Sequence, residues 1–227
     1  MRFESSSRPV LRWAAGLAAV ALMACIVWRA FCIGCADFLA QDAQFSVNSR
    51  LERGLPLDAA TLEGASELLE RAIDWNPDNS SAHENLALVN RMRLGLPKLT
   101  LVERDDALNK ALAHSLRAAA LRPTSGYTYS LVAIIKQQRG ERDAIFHKAL
   151  RQAVRYAPWE PGVQDNVIEA GSRAWDALDG AEREAIRETV RRALQTRPAQ
   201  AQAHLLALRW ILPSCIDLAV SIPGLCK

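Results

Sequence analysis

From residue 58 onward the apolar positions fall every third or fourth residue, the spacing that lines one face of a helix. The first such run extends from Asp58 to Trp75, with Leu62, Ala65, Leu69, Ala72 and Ile73 on its apolar face. A second starts near Ser81, where Ser81 and Glu84 have capping-box spacing, and reaches Leu94 before Gly95-Leu96-Pro97. A third begins at Thr100, again with a glutamate three residues on (Glu103), and continues to Leu121. Further runs span Ser125 to Gln138, Glu141 to Tyr156, Glu160-Pro161 to Leu178, Asp179 to Thr196 and Ala199 to Leu212. Pro161 suits a first helical turn, and Asp179 with Glu182 repeats the capping spacing. No stretch sustains period-two alternation, so the pattern predicts an all-α fold.

Four of these helices stop in the same way. Pro77, Pro123, Pro158 and Pro198 each follow a helical run, because the proline ring clashes with the backbone that a continuing helix would need. An alanine lies five residues before each: Ala72, Ala118, Ala153 and Ala193. A small residue at a fixed offset from the stop lets a neighbouring helix approach closely. The prolines are spaced by 46, 35 and 40 residues, and only the middle value is near the ~34-residue tetratricopeptide period. The reading is a degenerate tetratricopeptide-like solenoid of about four antiparallel helix pairs over residues 37–212.

The first 36 residues follow another rule. Trp13 to Trp28 contains no charge, and after Arg29 the apolar character resumes from Ala30 to Ala36. A span needs about 20 residues to cross a ~30 Å hydrocarbon core, and Trp13–Ala36 is long enough if Arg29 snorkels to the headgroups. Arg2, Arg8 and Arg12 precede the run, which places the N-terminus in the cytoplasm and the main domain in the periplasm. Two other readings share that compartment. A cleaved signal has the same basic start and apolar centre, and Leu22-Met23-Ala24-Cys25 has the form of a lipobox, although the residues after Cys25 stay apolar. The segment 37–53 continues the anchor as helix, and residues 213–227 form a short apolar tail.

Composition narrows the function classes. The net charge is only +3, and the arginines at 183, 187, 191 and 192 alternate with Glu182, Glu184 and Glu188, the pattern of a solvated face with local ion pairs. Nucleic acid binding needs a one-sided positive field, so none is expected. Cys32 and Cys35 are formally a C-x-x-C pair, but without the strand–helix setting of a redox motif they read as interfacial cysteines. An oxidising compartment would let Cys215 and Cys226 close a tail disulfide, which their spacing alone does not establish.

Catalytic grammar is absent from the local sequence. His83, His114, His147 and His204 are far apart, with no metal-ligand spacing. There is no phosphate-binding glycine loop and no nucleophile elbow, so neither an enzyme nor a cofactor is expected. The candidates for a partner surface are Tyr127, Tyr129, Trp159, Glu160 and Trp175, since large rigid rings at turns anchor a peptide or stack on sugars. The plainer reading is that these rings wedge successive hairpins together, with Glu160 accepting hydrogen bonds at a helix start.

The tract Arg122-Pro123-Thr124-Ser125-Gly126-Tyr127-Thr128-Tyr129, followed by Ala157-Pro158-Trp159-Glu160-Pro161 and closing at Gly171 and Trp175, resembles the VpsP-type proteins of bacterial exopolysaccharide biosynthesis loci. The resemblance covers roughly Leu121 to Trp175, with a looser match from Glu70 to Pro77. It implies a membrane-anchored, non-enzymatic component of an exopolysaccharide cluster. Its implied partners are polysaccharide polymerase, chain-length or export proteins at the cytoplasmic membrane, with polysaccharide itself as a further candidate. A glycan-processing activity or a general envelope-assembly scaffold are the alternatives.

Overall fold

A computed structural model describes residues 7–208, with side chains from Trp13 onward. The described residues are helical and contain no strand. Helix α1 (Ser7–Glu52) runs unbroken for 46 residues. It is followed by α2 (Ala59–Trp75), α3 (Ser80–Met92), α4 (Leu101–Leu121), α5 (Gly126–Gln138), α6 (Ala144–Tyr156), α7 (Pro161–Arg173), α8 (Gly180–Thr196) and α9 (Pro198–Ala207), with short 3-10 turns at Arg93–Gly95 and Trp175–Ala177. The apolar tail and both of its cysteines lie outside the described residues.

The helices alternate in direction. Arg50 near the end of α1 meets Asp58 at the start of α2 at 2.8 Å, while Trp28 midway along α1 meets Trp75 at the end of α2. The same holds for α5 and α6, whose Tyr129 and Tyr156 stack at opposite chain ends. Each helix packs on its predecessor, and α5 also packs along α7. Two clusters of buried apolar side chains result. Ala36, Ala40, Ala43 and Val47 of α1 join Leu62, Leu69 and Leu86 in one, and Leu131, Ile134, Ile135, Phe146, Leu150 and Ile168 lead the other.

The proline stops share one geometry. Ala72, Ala118, Ala153 and Ala193 are each fully buried, and the carbonyl of each accepts the N–H of the residue before the proline. After the first three prolines the chain closes the same turn, in which Asn79, Ser125 and Glu160 donate their N–H to the carbonyls of Asn76, Arg122 and Ala157. The side chain of the same residue then caps the next helix, accepting from Ala82, Thr128 and Val163 respectively. Helix α3 is therefore capped by Asn79, two residues before the Ser81 cap read from capping-box spacing, and starts at Ser80. Three boundaries also moved: α6 begins at Ala144 under an Asp143 cap rather than at Glu141, α7 ends at Arg173 rather than running to Leu178, and α9 ends at Ala207, short of the Leu212 end, which lies outside the described residues. The boxes at Thr100–Glu103 and Asp179–Glu182 are complete.

Candidate functional site

A polar seam crosses α3, α5 and α7 on one face of the domain. It begins at Glu84 of α3, whose carboxylate accepts hydrogen bonds from Thr128 Oγ1 and, at 3.4 Å, from Ser125 Oγ at the head of α5. Further along, Asn166 of α7 donates Nδ2 to Ser130 Oγ at 3.0 Å. Arg91 then reaches from α3 across to α7, donating to Asn166 Oδ1 at 3.4 Å and to Glu169 Oε2 at 3.3 Å. Thr128 and Ser130 are fully buried, and Asn166 nearly so. Their polar groups need partners inside the protein, which the seam supplies. Arg91 Nε is buried and has no partner among the described residues, so a donor is left over in the seam.

Tyr127 stands at the rim of this face, on α5 between Glu84 and Glu160. Burial, then the two nearby carboxylates, push its phenol above the ordinary tyrosine value, so it stays a neutral donor. A Cβ on Gly162 would lie 3.3 Å from the Tyr127 ring and 3.4 Å from the Glu160 carboxylate, which shows how close these two candidates sit. Glu160 itself caps α7, accepting from Val163 N at 2.7 Å.

The other three candidates go elsewhere. Tyr129 points to the flank between α4 and α6, where it stacks on Tyr156 at 6.3 Å and lines a pocket with Leu116, Pro123, Val132 and Ile145. Trp159 lies in the turn between α6 and α7, 56% exposed, with the Arg192 guanidinium 5.2 Å from its ring centroid. Trp175 sits at the opposite end of α7, partly buried beneath Arg183 and Arg187 at 5.6 and 5.5 Å. Thus Tyr127 and Glu160 are neighbours, and the five do not form one surface.

A second polar pair joins α3 to α4. His83 Nδ1 lies 2.9 Å from His114 Nδ1, and His83 Nε2 faces the Pro77 carbonyl at 3.1 Å. The carbonyl can only accept, so His83 carries its proton on Nε2 and its Nδ1 receives the proton of His114 Nδ1. Burial lowers both pKa values below the usual histidine range, followed by the Arg117 charge for His83 and by His83 for His114. Among the described residues no group of three or more His, Cys, Asp or Glu side chains is arranged to hold a metal ion. Cys32 and Cys35 are free thiols one turn apart on α1.

The seam was not visible in the sequence, because Glu84, Ser130 and Asn166 are about forty residues apart along the chain and individually unremarkable. The available signal was α5 itself. Leu131 to Ile135 is apolar all round, which marks a helix enclosed on every side and its Thr128 and Ser130 as buried. The chain matches no protein-family model, and no curated protein matches it.

Proposed function

We propose that this chain is a membrane-anchored, non-enzymatic interaction protein whose helical hairpins form a tetratricopeptide-like solenoid presenting the α3–α5–α7 face to a partner. The observation that carries the reading is the polar seam, in which three helices distant in sequence converge on one face. That face keeps a half-buried Arg91 guanidinium paired with Glu169, a neutral phenol at Tyr127 and partly open carboxylates at Glu84 and Glu169. Donors and acceptors interleaved along a line suit the backbone and polar side chains of a peptide segment better than a single small molecule. The anchor is α1, whose apolar half from Trp13 to Val27 is bare of protein contacts large enough to bury it.

The resemblance of the Arg122–Trp175 tract supplies the setting. The partner is a polysaccharide polymerase, chain-length or export protein, met on the periplasmic side of the cytoplasmic membrane by a domain whose N-terminus lies in the cytoplasm. Photocrosslinking in cells tests this, with a benzoyl-phenylalanine at Tyr127 and a control at the exposed Ala113 on α4. Polymerase, chain-length or export subunits should be captured from Tyr127 and not from Ala113. Capture of glycan alone would replace this reading with glycan binding, and identical products from both positions would remove the seam as a docking face.

A further inference from the structure

The charge-free part of α1, Trp13 to Trp28, is too short to cross a bilayer unless the bilayer reaches the domain. From Trp13 to Trp28 a helix rises ~22 Å, against a hydrocarbon core of ~30 Å. A span of about 20 residues extends to Ile33, and by then α1 already lies against α2. Trp28, Phe31 and Trp75 form a ring cluster with centroids 5.9 to 6.4 Å apart. Arg29, the one charge in this stretch, pairs with Asp78 of the first proline turn at 3.8 Å. If α1 spans the membrane, the end of α2 and its turn sit at the membrane–water boundary.

That edge does not stop at α2. Alternating helix direction puts all the proline turns at the same end of the helices, and contacts join them into a ridge. Arg117 at the end of α4 also holds Asp78, at 2.8 Å. The next turn presses on the one after it, since a Cβ on Gly126 would fall 2.5 Å from Ala157 Cβ. Trp159 follows, under Arg192 of α8. Aromatic rings recur along this ridge and stand open: Trp75 is 38% exposed, Tyr156 38% and Trp159 56%. Such rings, with an apolar body and a polar tip, favour the headgroup layer.

We infer that the proline-turn edge rests on the bilayer, with Trp75, Tyr156 and Trp159 seated among lipid headgroups. The domain thus lies against the membrane it is anchored in instead of standing away from it. This rests on α1 being a membrane span, as proposed above. With Arg29 and Arg192 and the latter's partner Glu188 included, the edge carries Arg29, Arg71, Arg117, Arg122, Arg155 and Arg192 against Asp74, Asp78, Glu160 and Glu188, a small positive excess. The rings rather than net charge hold it, and a zwitterionic phosphatidylcholine surface suffices. The opposite edge, where Trp175 sits beneath its arginines, faces away.

The test is tryptophan quenching by brominated phosphatidylcholine in vesicles holding the full chain. Of the six tryptophans, single-tryptophan forms retain Trp13, Trp75, Trp159 or Trp175, the others being changed to Phe. Bromines near the headgroup should quench Trp75 and Trp159 and leave Trp175 bright, at low and high salt alike, while Trp13 is quenched. Trp159 as bright as Trp175, with Trp13 quenched, would overturn the seated edge and leave the anchor. An unquenched Trp13 would remove the anchor, and this inference with it. Spin labels at Thr124→Cys on the ridge and Asp176→Cys on the opposite edge, with native cysteines changed to Ser, repeat the depth comparison without altering any tryptophan. Equal immersion of the two labels would overturn the inference as well.

Discussion

Two glycines show how local space decides the sign of a substitution. Gly126 opens α5 where two turns meet, and a methyl there would stand 2.5 Å from Ala157 Cβ and 2.8 Å from the Ala157 backbone nitrogen. Backbone cannot swing aside, so Gly126→Ala should destabilise the fold by roughly 1–3 kcal/mol, the usual range for overpacking. Gly64 lies in the middle of α2 with nothing within 4 Å of an added Cβ. There alanine meets no obstacle and restricts the unfolded chain, so Gly64→Ala should stabilise by up to ~1 kcal/mol. Urea midpoints of the two variants check this, and a loss at Gly64 or a gain at Gly126 would mean the turns are packed differently. Among the aromatic candidates the same scale gives different roles. Tyr127 and Glu160 share the seam's rim, Trp159 stands open at a turn, and Trp175 is covered by guanidinium groups.

At the scale of elements, the histidine pair ties α3 to α4 in a way that depends on pH. Both rings are neutral in the fold, and burial lowers their pKa below the unfolded value near 6.5. As pH falls through that value the unfolded chain takes up protons first, so stability is unaffected above it and lost below it. The urea midpoint should therefore drop between about pH 7.5 and about pH 5.5. In His114→Phe, which keeps a ring but cannot titrate, the drop should shrink, and an unchanged drop would assign the pH dependence to other groups. Much of the element pattern was legible in the sequence. The proline stops, their buried alanines and the Thr100 and Asp179 capping boxes follow from local chemistry that tertiary contacts reinforce. The start of α3 was not, because Asn79, Ser80 and Ser81 all have capping side chains. The turn after Pro77 selects Asn79, two residues past the proline, as it selects Ser125 and Glu160 elsewhere. The seam was hidden for a different reason: its bonds join residues that only the packing of α3, α5 and α7 brings together.

For the whole molecule, α1 couples the two halves of the account. One continuous helix is bare and apolar from Trp13 to Trp28, and from Ala36 its small residues pack into the domain core. If α1 spans a membrane, a bend between membrane and domain would need a break in that helix, and none interrupts Ser7–Glu52. The most direct measurement is alkaline carbonate extraction of bacterial membranes containing the full chain, compared with a Val20→Lys, Met23→Lys double variant. Both positions are more than 60% exposed, so the domain should fold unchanged, as circular dichroism can verify. Each lysine near the centre of a span costs about 3 kcal/mol. With α1 as a membrane span, the unaltered chain stays with the membrane pellet and the double variant is released. Release of the unaltered chain, or full retention of the double variant, would contradict α1 as a membrane span.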